Sequence, residues 1–178
     1  GQIRASRPNV LYTSVAGNDT VRLFNQLAEY GLSRNLTIVG ASGTVTSQNM
    51  EAIGENAEGF TTGVGYSVDL DIPANKTFVK AFEAEYKALP DLYGADSYGV
   101  MYFYKAAVEK AQSTETDKVR AAMEGLEWST PQGMKTMRAG DHQAMQDMYV
   151  TRVQDGKFNV LSKVAAKDAL GPDTCTRF

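Results

Sequence analysis

Residues 9–32 read NVLYTSVAGNDTVRLFNQLAEYGL, an apolar, β-branched run that ends in small residues and passes at once into an amphipathic stretch. Val10 to Val15 suit a buried strand. Val21, Phe24, Leu27 and Ala28 recur at helical spacing, and Asn18 or Asp19 is expected to cap that helix. The stretch is therefore a β-α unit, and the turn inside it is a place to receive a ligand.

A second unit follows. LTIVG (36–40) reads as a buried strand, a Ser/Thr-rich turn leads to a short helix, and Gly54 is expected to stop it. GFTTGVGY (59–66) supplies a third strand. Apolar strands separated by amphipathic helices imply parallel pairing through right-handed crossovers, as in doubly wound α/β sheets. After Tyr66 the texture changes. SVDLDIPAN is a polar connector to a helix carrying Phe78, Phe82 and Tyr86 at four-residue spacing, ending before Pro90. A helix over about 96–111 is predicted to place Val100, Phe103, Tyr104, Ala107, Val108 and Ala111 on one stripe, and TDKVRAAMEGL forms another. Strands return with GMKTMRA, then DMYVTRV and KFNVLSKV joined through Asp155-Gly156, a hairpin signal. Three helices with wide apolar stripes and no local strand to cover them need a sheet from elsewhere, which points to missing sequence.

Composition excludes several classes. The chain has 178 residues, 43% of them hydrophobic, enough for one sizeable core or two small ones. A net charge of −3 without a basic cluster argues against nucleic acid. No apolar run approaches the ~20 residues of a membrane helix, and GQIRASRPN lacks the apolar core of a signal peptide. Cys175 is the single cysteine, so no CxxC pair or thiolate metal cluster arises within the chain, and no metal or cofactor is expected. With no helix N-terminus or histidine adjoining it, Cys175 is expected to be unreactive as a catalyst. A disulfide partner outside this sequence is one possible fate for it.

Four motif fragments fall short of the sites they suggest. VGASGTV (39–45) approaches the G-x-S-x-G elbow, but Thr44 replaces the second glycine and the single histidine, His142, is distant in sequence, so Ser42 is not an activated nucleophile. GVGYSV (63–68) lacks the third glycine and the helix of a dinucleotide site, and AGNDT lacks the residues of a phosphate loop. DLD (69–71) lacks the ligand spacing of a Ca²⁺ loop. No catalytic residue is assigned, and the chain is not expected to be an enzyme. The carboxyl ends of the parallel strands remain: Val15 to Asn18, Ala41 to Thr44, and Tyr66, where loops offer backbone N–H groups and helix N-termini.

Taken in order, IRASRPNVLYTSVAGNDTVRLFNQLAEYGL, NAEGF, DIPANKTFVKAFEAEY, YGVMYFYKAAVEKAQSTETDKVRAAMEGL and PQGMKTMRAGDHQAMQDMYVTRV resemble the later half of the leucine/isoleucine/valine-binding group of solute-binding proteins of ABC transporters. The resemblance implies a type I periplasmic binding protein. Two α/β lobes joined by three crossovers would close by a hinge motion over a small ligand and deliver it to a membrane permease. On that footing residues 1–66 belong to the C-terminal lobe, 67–142 are helices that pack on a largely absent N-terminal lobe, and 143–178 return as a β ribbon and tail. The uncovered stripes would pack on one another in a rearranged helical layer, on a second copy of the chain, or on the missing lobe as the other fragment of a nicked protein. A periplasmic location, and Gly1 as a truncation or proteolysis boundary, follow from the same resemblance; no direct membrane insertion and no nucleic-acid partner are expected from the composition above.

The implied ligand-binding positions are Ala16, Gly17, Asn18, Ser42 and Tyr66. Branched-chain amino acid receptors place an aromatic residue where this chain has Ala16 to Asn18, and a carboxylate for the ammonium where it has Ser42. Those departures favour a carboxylic acid without an ammonium, aromatic by preference, with a branched-chain amino acid as the alternative ligand. A ligand-sensing domain of a receptor or amide-responsive regulator shares the fold; GPDTCTRF reads as a terminus without a linker, which favours transport.

Overall fold

The structure is a computed structural model, which describes residues 1–174. Cys175 lies outside the described residues. The chain divides into two compact units, one formed by Gly1–Val64 and Tyr149–Lys163, the other by Gly65–Met148 and the chain from Val164 onward.

The first unit opens with a short helix, α1 (Gln2–Ser6), before the first strand, where the sequence reading had the chain run straight into β1. Strands β1 (Val10–Thr13), β2 (Thr37–Gly40) and β3 (Thr61–Val64) alternate with helices α2 (Asn18–Glu29) and α3 (Ser47–Ile53). β1 pairs in parallel with β2, and β2 with β3, so the expected β-α-β-α-β series is present. The ribbon then returns. β7 (Met148–Gln154) runs antiparallel on β3, with Val64 opposite Tyr149, and turns through Asp155-Gly156 into β8 (Lys157–Val164). Both turn residues have positive φ, and the Glu58 carboxylate accepts the Asp155 and Gly156 N–H groups at 3.1 and 2.8 Å.

Phe24 and Leu27, expected on the buried face of α2, join Ile38, Val45, Ile53, Ala57, Phe60 and Val153 in one core. Phe24 and Phe60 meet edge to face at 5.7 Å. The sheet carries this packing only because residue 40 is glycine: a Cβ there would lie 2.8 Å from both the Phe60 ring and the Thr13 carbonyl. Gly54 ends α3 at φ 61°, as its left-handed freedom predicts.

The second unit is not all helix before its ribbon. Helices α4 (Pro73–Tyr86), α5 (Leu92–Ala111) and α6 (Thr116–Met123) are joined by a three-stranded antiparallel sheet of β4 (Glu127–Thr130), β5 (Gly133–Met137) and β6 (Ala144–Met145), and α7 (Ala166–Ala169) follows β8. β4 and β6 correct the sequence reading, and α5 packs on β4 and α6. The stripe on α5 also differs. Its buried residues are Ala95, Gly99, Phe103 and Ala107, whereas Val100 and Tyr104 are 54% and 48% exposed. Small side chains face the sheet because α5 sits close to it: a Cβ on Gly99 would be 3.2 Å from the Thr130 methyl. Phe103 stacks on Trp128 at 4.4 Å within that contact. The larger apolar side chains are left on the other face.

Candidate ligand site

At the carboxyl end of β1 the chain turns through Ser14 to Ala16 and enters α2 at Gly17, the N-cap, with φ 60° and ψ −135°. This corrects the expected cap. Neither Asn18 nor Asp19 caps α2 with a side chain, because the positive-φ turn at Gly17 already makes Asn18 the first helical residue. The turn is held from below: buried Thr20 donates its N–H to the Gly17 carbonyl at 3.2 Å and its hydroxyl to the Val15 carbonyl at 3.3 Å. With no side-chain cap, the first-turn N–H groups of α2 keep their affinity for an acceptor, and the helix adds a partial positive charge. Asp19, also in that turn, pairs with Arg22 at 3.4 Å on the exposed surface.

The second loop lies beside the first, since Thr13 pairs with Gly40 and the Ala41 N–H bonds the Thr13 carbonyl at 2.9 Å. Here the cap is complete. Thr46 and Asn49 form a reciprocal box, Asn49 accepting the Thr46 N–H at 2.8 Å and Thr46 accepting the Asn49 N–H at 3.4 Å. The Asn49 amide also donates to the Thr44 carbonyl at 3.0 Å. At Thr44, where an elbow would have glycine, the backbone carbonyl is thus tied to the cap. Its hydroxyl is buried without a hydrogen-bond partner.

Ala16, Gly17, Asn18 and Ser42 are all exposed at these two adjacent loops, so the first unit brings four of the five expected positions to one edge of its sheet. Ser42 makes no side-chain hydrogen bond with the described residues, and the His142 ring contacts Glu124 at 3.3 Å in the second unit. Among the described residues no nucleophile–base pair is formed at Ser42.

Tyr66 belongs to the second unit. It is 5% exposed, its ring meets Phe78 edge to face at 6.4 Å, and its hydroxyl is buried without a partner. Burial, followed by the negative charges of Asp91 and Asp69, pushes the phenol pKa well above its ordinary value. The neighbouring glycine has a packing reason: a Cβ on Gly65 would collide with the Gln146 amide. In the same unit the Asn75 amide, wholly buried, donates to the carbonyls of Ser67, Val68 and Leu70 at 3.0–3.2 Å and holds the DLD connector to α4. That residue passed unnoticed in the sequence, since an asparagine in the first turn of a helix after proline carries no signal of burial. Among the described residues no group of three or more His, Cys, Asp or Glu is placed to hold a metal.

The sequence profile of the periplasmic binding protein family matches residues 1–157. The chain belongs to that family. A curated relative, "Leu/Ile/Val-binding protein homolog 6" of Brucella melitensis, is 26% identical over 155 residues, covering 80% of this chain and 38% of the relative. Among solved structures, a solute-binding protein of an ABC transporter from Rhodopseudomonas palustris, in complex with 3,4-dihydroxybenzoic acid, superposes with a TM-score of 0.83 at 23% identity over 93% of this chain and 47% of that one. A second R. palustris solute-binding protein, in complex with benzoate, gives 0.82 at 24% identity over 94% and 47%. A leucine-binding protein from Thermotoga maritima gives 0.82 at 19% over 94% and 48%. These likenesses establish the type I periplasmic binding protein fold, and the chain spans about half the length of the structures it matches. Family and fold are those of non-enzymatic solute-binding proteins. Among the described residues, no helix is long and apolar enough to cross a membrane.

Proposed function

We propose that this chain is the ligand-capturing C-terminal lobe, with part of its neighbour, of an extracytoplasmic solute-binding protein that holds a small carboxylic acid for ABC transporter uptake. The observation that carries this reading is the pair of adjacent strand-end loops in the first unit: α2 begins without a side-chain cap beside Ala16 and Gly17, and the exposed, uncharged Ser42 stands where the resemblance implies an amino-acid receptor's carboxylate. An ammonium buried without a counter-charge costs several kcal/mol even after relaxation. A carboxylate is held more readily by free N–H groups at a helix start. The small residues leave room for a bulky body, and an aromatic acid is favoured, in keeping with the benzoate and dihydroxybenzoate bound by the R. palustris proteins. In this reading Ala16, Gly17, Asn18 and Ser42 contact the ligand, and Tyr66 is the further candidate contact.

Residues 67–142, with the exposed face of α5, pack on the N-terminal lobe, and a second copy of the chain is the alternative cover for that face. The partners are the ligand and a membrane permease, and the location is periplasmic. One observation favours another ligand: the name of the Brucella relative points to branched-chain amino acids. The test is a thermal-shift panel on the two-lobed protein, because a ligand that binds only the folded state raises its stability by mass action. Benzoate and hydroxybenzoates are expected to raise the midpoint. Stabilisation by leucine or valine and not by aromatic acids would overturn the assignment of Ser42.

A further inference from the structure

At the opposite end of β1 and β2 from the loops above, the first unit has a cleft of about 380 Å³ between α1, the C-terminal end of α2 and the starts of the two strands. Its polar lining consists of Arg4, Arg7, Asn9, Tyr30 and Asn35, and no carboxylate lines it. Neither guanidinium makes an ion pair or hydrogen bond with the described residues. In a chain of net charge −3, two unpaired cations facing one concavity are a concentration of charge that composition does not account for.

Arg7 adds a backbone observation. It sits in the left-handed region at φ 46° and ψ 52°, directly before Pro8, where a non-glycine residue is strained and the residue before proline prefers extended geometry. This conformation ends α1 and brings the residue to the cleft edge. The walls are aliphatic, with Ile3, Leu32 and Leu36 half-buried against the unit's core.

We propose that this cleft binds a small oxyanion, gripped by the guanidinium groups of Arg4 and Arg7 and oriented by the amides of Asn9 and Asn35 and the Tyr30 phenol. Arginine is a donor-only side chain whose planar fork matches carboxylate and phosphate oxygens. The carbonyl end of α2 opposes an anion here, but its partial charge is about half a unit against two full positive charges. The volume lies within the usual range for small-ligand sites. This site is independent of the strand-end loops and of the function proposed for them.

The test is isothermal titration of the chain with inorganic phosphate and, separately, with succinate at constant ionic strength. Saturable one-site binding of at least one is expected, and which one saturates distinguishes an inorganic oxyanion from a carboxylate. Arg7→Gly is the informative variant, because glycine adopts φ 46° without strain and leaves the fold intact while removing the charge. Arg7→Gly and Arg4→Gln are each expected to weaken binding at least tenfold, with the unfolding midpoint unchanged for Arg7→Gly. Arg22→Gln, which removes an exposed arginine outside the cleft, is expected to leave the affinity unaltered. Absence of saturable binding for both anions, or affinity undiminished in both cleft variants, would overturn the proposal.

Discussion

The two units solve the burial of apolar surface differently. In the first, Phe24, Leu27, Val45, Ile53, Ala57, Phe60 and Val153 are each no more than 3% exposed, and the sheet and its helices close the core among themselves. In the second, an aromatic chain begins in the interior at Tyr66 and Phe78 and runs outward through Phe82 to Tyr86 and through Tyr98 to Tyr102, where exposure reaches 66% at Tyr86. Its short sheet covers only the small-residue side of α5. Polar clasps take over part of the work: Asn75 gathers three carbonyls, and Asp96 accepts both buried Gln132 at 2.6 Å and buried Lys135 at 3.0 Å. A self-sufficient core and a face that asks for cover thus coexist in one chain.

The largest expected effect tests the closed core. Phe60→Ala should cost about 3–5 kcal/mol in urea denaturation, through lost burial and the cavity left beside Phe24 and Gly40. Tyr104→Ala, on the exposed face of α5, should stay within ~0.5 kcal/mol. Equal losses would erase the contrast between the units. Next comes the clasp: Asn75→Ala takes the donor from the Val68 carbonyl and the second donor from the Ser67 and Leu70 carbonyls, which keep the N–H groups of Leu70 and Ile72, a cost of about 1–3 kcal/mol, and hydrogen exchange should rise in α4 before it rises in α2. A smaller loss is expected in the first unit from Thr46→Ala, about 1 kcal/mol by removal of half the capping box, with the Asn49 amide exchanging faster.

The smallest effect concerns Tyr66. Its hydroxyl is buried without a partner, so Tyr66→Phe should leave stability unchanged or slightly raised. The pH dependence has a definite sign. The folded-state pKa lies above the unfolded value of about 10, so the folded state retains a proton that the unfolded chain releases, and stability falls as pH rises past about 10. Tyr66→Phe should flatten that alkaline decline. An unchanged slope would mean that the ring is solvated and that the aromatic chain of the second unit starts elsewhere.

Much of the first unit was legible from residue order, because its elements are bounded by local chemistry. The apolar runs VLYT, TIVG and TTGV, Gly54 at a helix end and Asp155-Gly156 at a hairpin each act within a few residues of themselves. The strand ends that carry Ala16, Gly17, Asn18 and Ser42 could be found the same way. The Gly17 cap could not be distinguished from the side-chain caps that Asn18 and Asp19 offer, since all three residue types favour helix starts. β4 (EWST) has one apolar side chain and β6 is two residues long, so neither offers an apolar run, and they exist because they pair with β5.

Periodicity along the chain established the element types, the parallel order of the first three strands and the loops at their carboxyl ends. The direction of each Cβ follows from local backbone geometry, so a period of 2 or 3.6 is written into the residues themselves. Tertiary packing decided which face of α5 is buried, why Gly40 and Gly65 lack side chains, and that Lys135 lies inside against Asp96. Those outcomes depend on atoms distant in sequence: the Thr130 methyl, the Phe60 ring, the Gln146 amide. A helix with apolar residues on more than one side has no preferred phase until a partner is close enough to exclude the larger side chains, and on α5 that partner is β4.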